Sequence, residues 1–254
     1  MSENDTFLID YHCHLDLYPD YQKQYELCSQ NKIAVLSVTT TPRAWARNKE
    51  LAANCPNVRV GLGIHPQIIE NGKTELPLFE KLLPDAKYIG EIGLDAGPHH
   101  YKTYPQQRET FEKILRLCND AGPKILTVHS VRAMPDTLRM IEAHVAGTAN
   151  KVVLHWFSGT PVEAKKAAQL GCYFSINIAM LNRPNSPALI ASIPLTRLLT
   201  ETDGPFTMAH GRPALPSDVS STVEALAAAL KMNLLATKHL LCTNLAKLEG
   251  TKTK

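Results

Sequence analysis

Side chains of metal-binding type recur at the ends of short apolar runs in this chain. His12-Cys13-His14 closes FLIDYHCH, Glu91 interrupts YIGEIGLD, His129 ends ILTVH, His155 ends VVLH, and Asp203 follows LLTET. Residues two apart on a strand share a face, so His12 and His14 can turn toward one cation while Cys13 faces the other way. An H-x-H pair alone is as readily a pair of core or surface histidines. Glu91 adds weight, because a carboxylate inside an apolar strand is costly unless paired or metal-bound. Five separate runs carry such a residue, and a single metal site would account for all of them. Six ligands exceed the needs of one tetrahedral zinc; they suit two divalent ions (Zn, Mg or Mn) sharing a carboxylate, about 3.5–4 Å apart. In that arrangement Glu91 bridges, His12, His14 and Asp203 hold one ion, and His129 and His155 hold the other. Two such ions polarise a phosphate and activate water. Asp203 is then the expected proton acceptor, and Asp203 and Glu91 the catalytic pair.

Other residues fall near the same run ends. His65 in GLGIHP is expected to touch substrate or support the ligands; its alternative is a hydrogen-bonded core histidine. Ser130 and Arg132 follow His129 and are candidate phosphate contacts. Trp156 follows His155 and can stack on a base, though aromatics there are as often core. Glu201 shares a face with Asp203 and either binds a further ion or supports the ligands. His99 and His100 read as surface, and His144 and His239 as structural.

Positioning these groups requires strands whose ends converge. Strands are expected at Phe7–His12, Ile33–Thr39, Val58–Ile64, Tyr88–Ile92, Ile125–His129, Val152–Trp156, Cys172–Ile176 and Arg197–Glu201. Helical periodicity marks Tyr21–Asn31, Arg43–Asn54, Gln106–Ala121, Pro135–Ala146, Val162–Leu170, Val219–Lys231 and Leu234–Leu248. Alternating strands and helices indicate an α/β fold with a parallel sheet. Eight strand candidates favour a single (β/α)8 TIM barrel of metal-dependent hydrolase type over residues 1–254. No strand leads into a G-x-G-x-x-G or P-loop signature, so the dinucleotide and nucleotide-triphosphate folds lack their phosphate cradle. The connections Gly93–Pro105 and Thr202–Ser217 are long and are expected to wall the substrate cleft.

Composition narrows the rest. The chain has 254 residues, 44% of them hydrophobic and 20% charged, with a formal net charge of +3. That is ordinary globular composition. It lacks the global positive field of a nucleic-acid coat, so any nucleic acid must be held by a local patch and by metal. The six cysteines are scattered without a C-x-x-C pair, which reads as reduced, mostly buried thiols. The acidic N-terminus lacks a signal-peptide pattern and no apolar stretch spans a bilayer. A cytoplasmic protein without membrane contact is expected.

The ordered segments DYHCHLD, GLGIHP, IGEIGLD, VHS, HWFSG, TETDGP and NLAKL, with Gln107 and Phe111 at Q-x-x-x-F spacing, resemble the TatD family of metal-dependent nucleases from Asp10 to about Leu248. The resemblance implies a (β/α)8 barrel with divalent metals at His12, His14, Glu91, His129, His155 and Asp203. It also implies cleavage of DNA phosphodiester bonds, commonly from the 3′ end of single strands. One departure is Val131, where TatD-like chains usually carry Arg in His-Ser-Arg; Arg132 lies one residue on. The segments GLDAGPHH and HSVRA further resemble the TatD-like component of the Qat anti-phage defence system, which implies other proteins of that system as partners. Two other functions stay open: amide or ester hydrolysis of a small molecule, and a binding subunit of a defence assembly. The first predicts a closed, narrow pocket. A nuclease predicts an open cleft with Arg132 and the Lys102 region at its rim.

Overall fold

The computed structural model describes residues 7–69 and 75–251. Eight strands are hydrogen-bonded in chain order: β1 (Leu8–Cys13), β2 (Ile33–Val38), β3 (Val58–Leu62), β4 (Tyr88–Asp95), β5 (Ile125–Val131), β6 (Lys151–His155), β7 (Tyr173–Ile176) and β8 (Leu198–Thr200). Every neighbouring pair is parallel. The strands are buried almost throughout, as expected when helices cover one face of a parallel sheet and a packed interior the other. β8 returns to β1 through the Thr200 hydroxyl, which donates to Ile9 O at 2.6 Å, and through Asp203 N, which donates to His12 O at 2.9 Å. The expected TIM barrel is therefore present.

Helices α1 (Tyr21–Gln30), α2 (Pro42–Ala52), α3 (Leu76–Leu82), α4 (Tyr104–Asp120), α5 (Met134–His144) and α6 (Pro161–Gln169) follow successive strands. The circuit continues with α7 (Ile178–Leu181), α8 (Ser186–Ser192), α9 (Val219–Leu230) and α10 (Leu234–Glu249). The entry to α6 shows local sequence at work. Thr160 caps the amide of Glu163, and the Glu163 carboxylate accepts from Thr160 N, with Pro161 at the first helical position. The short helices α3, α7 and α8 have no counterpart in the sequence expectations. Each spans at most seven residues, too few for a helical period to register.

Two bulges fall at two of the expected ligands. Between Asp10 and Cys13, β1 spends three steps against two on β2; between Ile89 and Ile92, β4 does the same against β5. Such an extra residue bends the strand and re-aims its neighbours. His12 lies in the first bulge and Glu91 in the second. Gly63 lets the chain pass here, since a Cβ on it would stand 1.9 Å from Thr39 O and 2.4 Å from Glu91 N. Thr39 O instead accepts the Glu91 amide at 2.9 Å.

The loop after β8 bears a two-stranded hairpin, β9 (Met208–Ala209) with β10 (Arg212–Pro213), and supplies Asp203 and Phe206 to the cavity at the barrel mouth. The loop after β4 behaves differently from expectation. β4 runs on to Asp95, and Gln107 of α4 ties the following segment down, accepting from Asp95 N at 2.7 Å and donating to His100 O at 3.0 Å. Neither Lys102 nor its neighbours line the cavity. The six cysteines are free and buried. No helix among the described residues is long and apolar enough to cross a membrane.

Candidate metal centre

Glu91 stands at the middle of the barrel mouth, 2% exposed. Its two oxygens face different histidines. Oε2 lies 3.3 Å from both His12 Nε2 and His14 Nε2. Oε1 lies 3.2 Å from His65 Nε2, 2.7 Å from His129 Nδ1 and 3.1 Å from His155 Nε2. Asp203 closes the first side, with Oδ1 3.6 Å from His14 Nε2 and 3.8 Å from His12 Nε2. All six residues singled out as ligands thus meet at one point, and His65 joins them.

The imidazoles are oriented by partners on the barrel wall. His12 Nδ1 faces the Thr127 hydroxyl at 2.9 Å, leaving Nε2 turned inward without a hydrogen-bond partner. His155 Nδ1 lies 3.4 Å from Glu201 Oε1. Glu201 is fully buried and well satisfied: Oε1 accepts from Trp156 N at 3.0 Å and Asn177 Nδ2 at 2.9 Å, and Oε2 accepts from Ser175 Oγ. His129 Nε2 lies 3.3 Å from Asp95 Oδ2, and Asp95 in turn accepts from Gln67 Nε2 at 2.7 Å. Metal-binding histidines ordinarily have their other ring nitrogen held in this way.

The ionisable groups of the ring perturb one another strongly. Burial would raise the Glu91 carboxyl, but the imidazoles of His65, His12 and His155 hold it well below its ordinary value. Asp203 is likewise pulled down against burial, chiefly by His14. Burial lowers His12, and the neighbouring His155 lowers it further; their rings stack with centroids 3.7 Å apart. His14 is pushed up to about 9, because Asp203 and Glu91 outweigh the cost of its burial. A cluster of buried imidazoles around a carboxylate is chemically suited to a divalent cation. Groups of ligand atoms within 4.8 Å of one another comprise His12, His14 and Glu91, then His65, Glu91 and His129, then His12, His155 and Glu201. Glu91 belongs to two of these groups. The orphaned His12 Nε2 supplies a further observation that the residues fit a metal ion.

The expected ligand Asp203 (φ 55°) and two residues close to the others, Arg132 (φ 53°) and Trp156 (φ 39°), adopt left-handed backbone. That conformation costs about 1–2 kcal/mol for an L-residue, and such strain gathers at functional sites. Each turn redirects the chain just after β5, β6 or β8. Arg132 and Trp156 line the cavity of about 940 Å³ above the ring. Ser130 also lines it, with its hydroxyl 3.0 Å from Thr137 Oγ1. His99 lies at the surface, and His144 sits 3.3 Å from Glu112.

Sequence reasoning did not single out Asp95, Thr127 or Arg183. Asp95 had the signal that exposed Glu91, a carboxylate at the end of an apolar strand. Thr127 and Arg183 had none, because threonine is ordinary in strands and Arg183 lies in a Pro- and Asn-rich loop.

A parallel eight-stranded barrel with a His/carboxylate ring at its mouth defines a metal-dependent hydrolase. The family described as TatD related DNase matches residues 9–250, and the chain belongs to it. Human deoxyribonuclease TATDN3 is 27% identical over 217 residues, covering 78% of each chain. The uncharacterized metal-dependent hydrolase YcfH of Escherichia coli K12 is 26% identical over 239 residues, 87% of this chain and 88% of its own. The crystal structure of YjjV, a TatD homologue from E. coli K12, superposes with a TM-score of 0.82 at 25% identity, covering 95% of this chain and 97% of that one.

Proposed function

We propose that this protein hydrolyses phosphodiester bonds of single-stranded DNA, removing nucleotides from the 3′ end, with two divalent ions held by the ring. The carrying observation is the division of Glu91 between two sets of imidazoles, His12 and His14 on Oε2 and His65, His129 and His155 on Oε1. Bound ions would supply Lewis-acid polarisation of a phosphoryl oxygen and activation of water. The protein's own residues do the rest. Glu91 bridges the two halves of the ring, Thr127 holds Nδ1 of His12, and the Glu201 carboxylate faces Nδ1 of His155. Asp203, at the cavity edge, orients the attacking water and takes its proton. Arg132 and Trp156 meet phosphate and base at the rim, and His65 and Ser130 border the reacting group.

The cavity reaches the surface between exposed Leu17, Val131 and Phe206, which suits an entering strand. The name of human TATDN3 as a deoxyribonuclease supports the choice of substrate. We extend the reading to a cytoplasmic role in anti-phage defence beside other proteins of a Qat-type system; co-purification with those proteins tests that part. Hydrolysis of 3′- and 5′-labelled single-stranded and duplex DNA with Mg²⁺, Mn²⁺ or Zn²⁺ tests the activity. Shortening of the single strand from its 3′ end, abolished by EDTA and by His129→Ala, is expected. A protein that binds metal yet cleaves no DNA, while opening amides or lactones, would overturn the reading.

A further inference from the structure

The two arginines of the cavity rim lie on one arc, where exposed Val131 adjoins Arg132, and three further exposed apolar residues come from the other strands. Arg132 follows β5, and Arg183 follows α7 beyond β7; both line the cavity. Among the described residues neither guanidinium has a carboxylate, hydrogen-bond or aromatic partner. Other arginines are occupied: Arg59 with Glu249, Arg116 with Glu112, Arg139 with Asp136 and Arg212 with Asp218. Arg183 is half-buried. A guanidinium held at a cavity wall with its donors free is suited to a phosphate, which it grips in a planar fork.

The facing arc carries no such charge. Leu17 follows β1, Ile68 follows β3 and Phe206 follows β8, and they line the same cavity while 44%, 40% and 61% exposed. Single exposed apolar residues need no explanation, but here three loops bring them to one cavity. Phe206 meets His14 edge-on, with centroids 5.0 Å apart, so this shelf begins beside the ligand ring. Trp156 stands on the basic side between the two arginines, partly buried against the core.

We infer that Arg183, together with Arg132, holds the backbone phosphates of the strand while its terminal base lies across the ring on the shelf of Leu17, Ile68 and Phe206. The scissile phosphate then sits over Glu91, between base and grip. A base on that shelf has left its duplex stack, which makes an unpaired end the preferred substrate. This placement rests on the nuclease reading and adds Arg183 and the apolar shelf to it.

Anisotropy of a fluorescent single-stranded oligonucleotide, with protein in EDTA over a range of salt, tests the arrangement without turnover. Each phosphate contact on a single strand contributes about 0.7 to the slope of log affinity against log salt. Arg183→Ala is expected to reduce that slope by about 0.7, and Arg183→Lys to keep it. Phe206→Ala is expected to leave the slope unchanged and weaken binding about 5- to 150-fold, the scale of one lost base stack. On an oligonucleotide lacking its terminal base, Phe206→Ala should have no effect. An unchanged slope in Arg183→Ala, or equal losses on the abasic and intact strands in Phe206→Ala, overturns the inference. If those variants bind and cleave as the wild type does, the nuclease reading survives and this placement alone falls. A wild type that neither binds nor cleaves a single strand sinks both.

Discussion

Glu201 is not one of the six expected ligands, yet the geometry makes it decisive for one of them. It accepts three hydrogen bonds, from Trp156 N, Asn177 Nδ2 and Ser175 Oγ, and faces His155 Nδ1 at 3.4 Å. Burial alone would lower the His155 imidazole, and Glu201, followed by Glu91, raises it well above its ordinary value. Two substitutions separate its roles. Glu201→Ala strands three donors in a buried site, each costing about 1–3 kcal/mol, so a stability loss of about 3 kcal/mol or more is expected. Glu201→Gln keeps a carbonyl for Trp156 and Asn177, and Ser175 can turn its hydroxyl to accept from the amide. It removes only the charge opposite His155. Loss of such a partner typically weakens metal affinity about 10- to 100-fold. Urea unfolding of the metal-free proteins and chelator competition with Zn²⁺ measure the two effects. A Gln variant with wild-type metal affinity would refute the claim that Glu201 acts through His155. A Gln variant that binds fewer ions at saturation would show instead that Glu201 is itself a ligand.

Gly63→Ala should be severely destabilising or insoluble, because its Cβ would meet backbone at 1.9 Å and 2.4 Å; a soluble variant with wild-type melting temperature would contradict the close approach. Thr127→Val is isosteric and removes the partner of His12 Nδ1; chelator competition should show weaker metal binding, with a stability cost of about 1–3 kcal/mol. Asp218 provides a pH signature away from the ring. Burial would raise its carboxyl, but the Arg212 hydrogen bond and the Leu215 amide hold it below the usual value. Its contribution to stability is therefore present above about pH 4 and lost as pH falls through the depressed value. Melting curves between pH 6 and pH 3 should fall less steeply for Asp218→Asn than for wild type, and parallel curves would remove Asp218 from the account.

The barrel was legible because each strand is a short apolar run and each long helix shows its period. His12, His14, His129, His155 and Asp203 were legible because each sits where such a run stops. Glu91 stood out as a charge no apolar strand tolerates unpaired. The bulges at His12 and Glu91 were not legible, since the extra residue is defined by pairing with a neighbouring strand. The segment after Gly93 looked like a cleft wall by its length and its glycine, proline and histidine content. Gln107 reaches back to hold it beside α4 instead, a contact between residues that carry no pattern in common. The Arg183 position depends on two short helices too brief to register.

The central claim is that a ring built around Glu91 holds two ions that work together. Cleavage of a single-stranded oligonucleotide by chelator-stripped protein, titrated with Mn²⁺ against protein concentration, tests it most directly. Activity is expected to rise to a plateau at about two equivalents per chain, as a two-metal site requires. Glu91→Gln is expected never to reach that plateau at any metal concentration. Full activity at one equivalent, or cleavage that persists in the stripped protein, would contradict it.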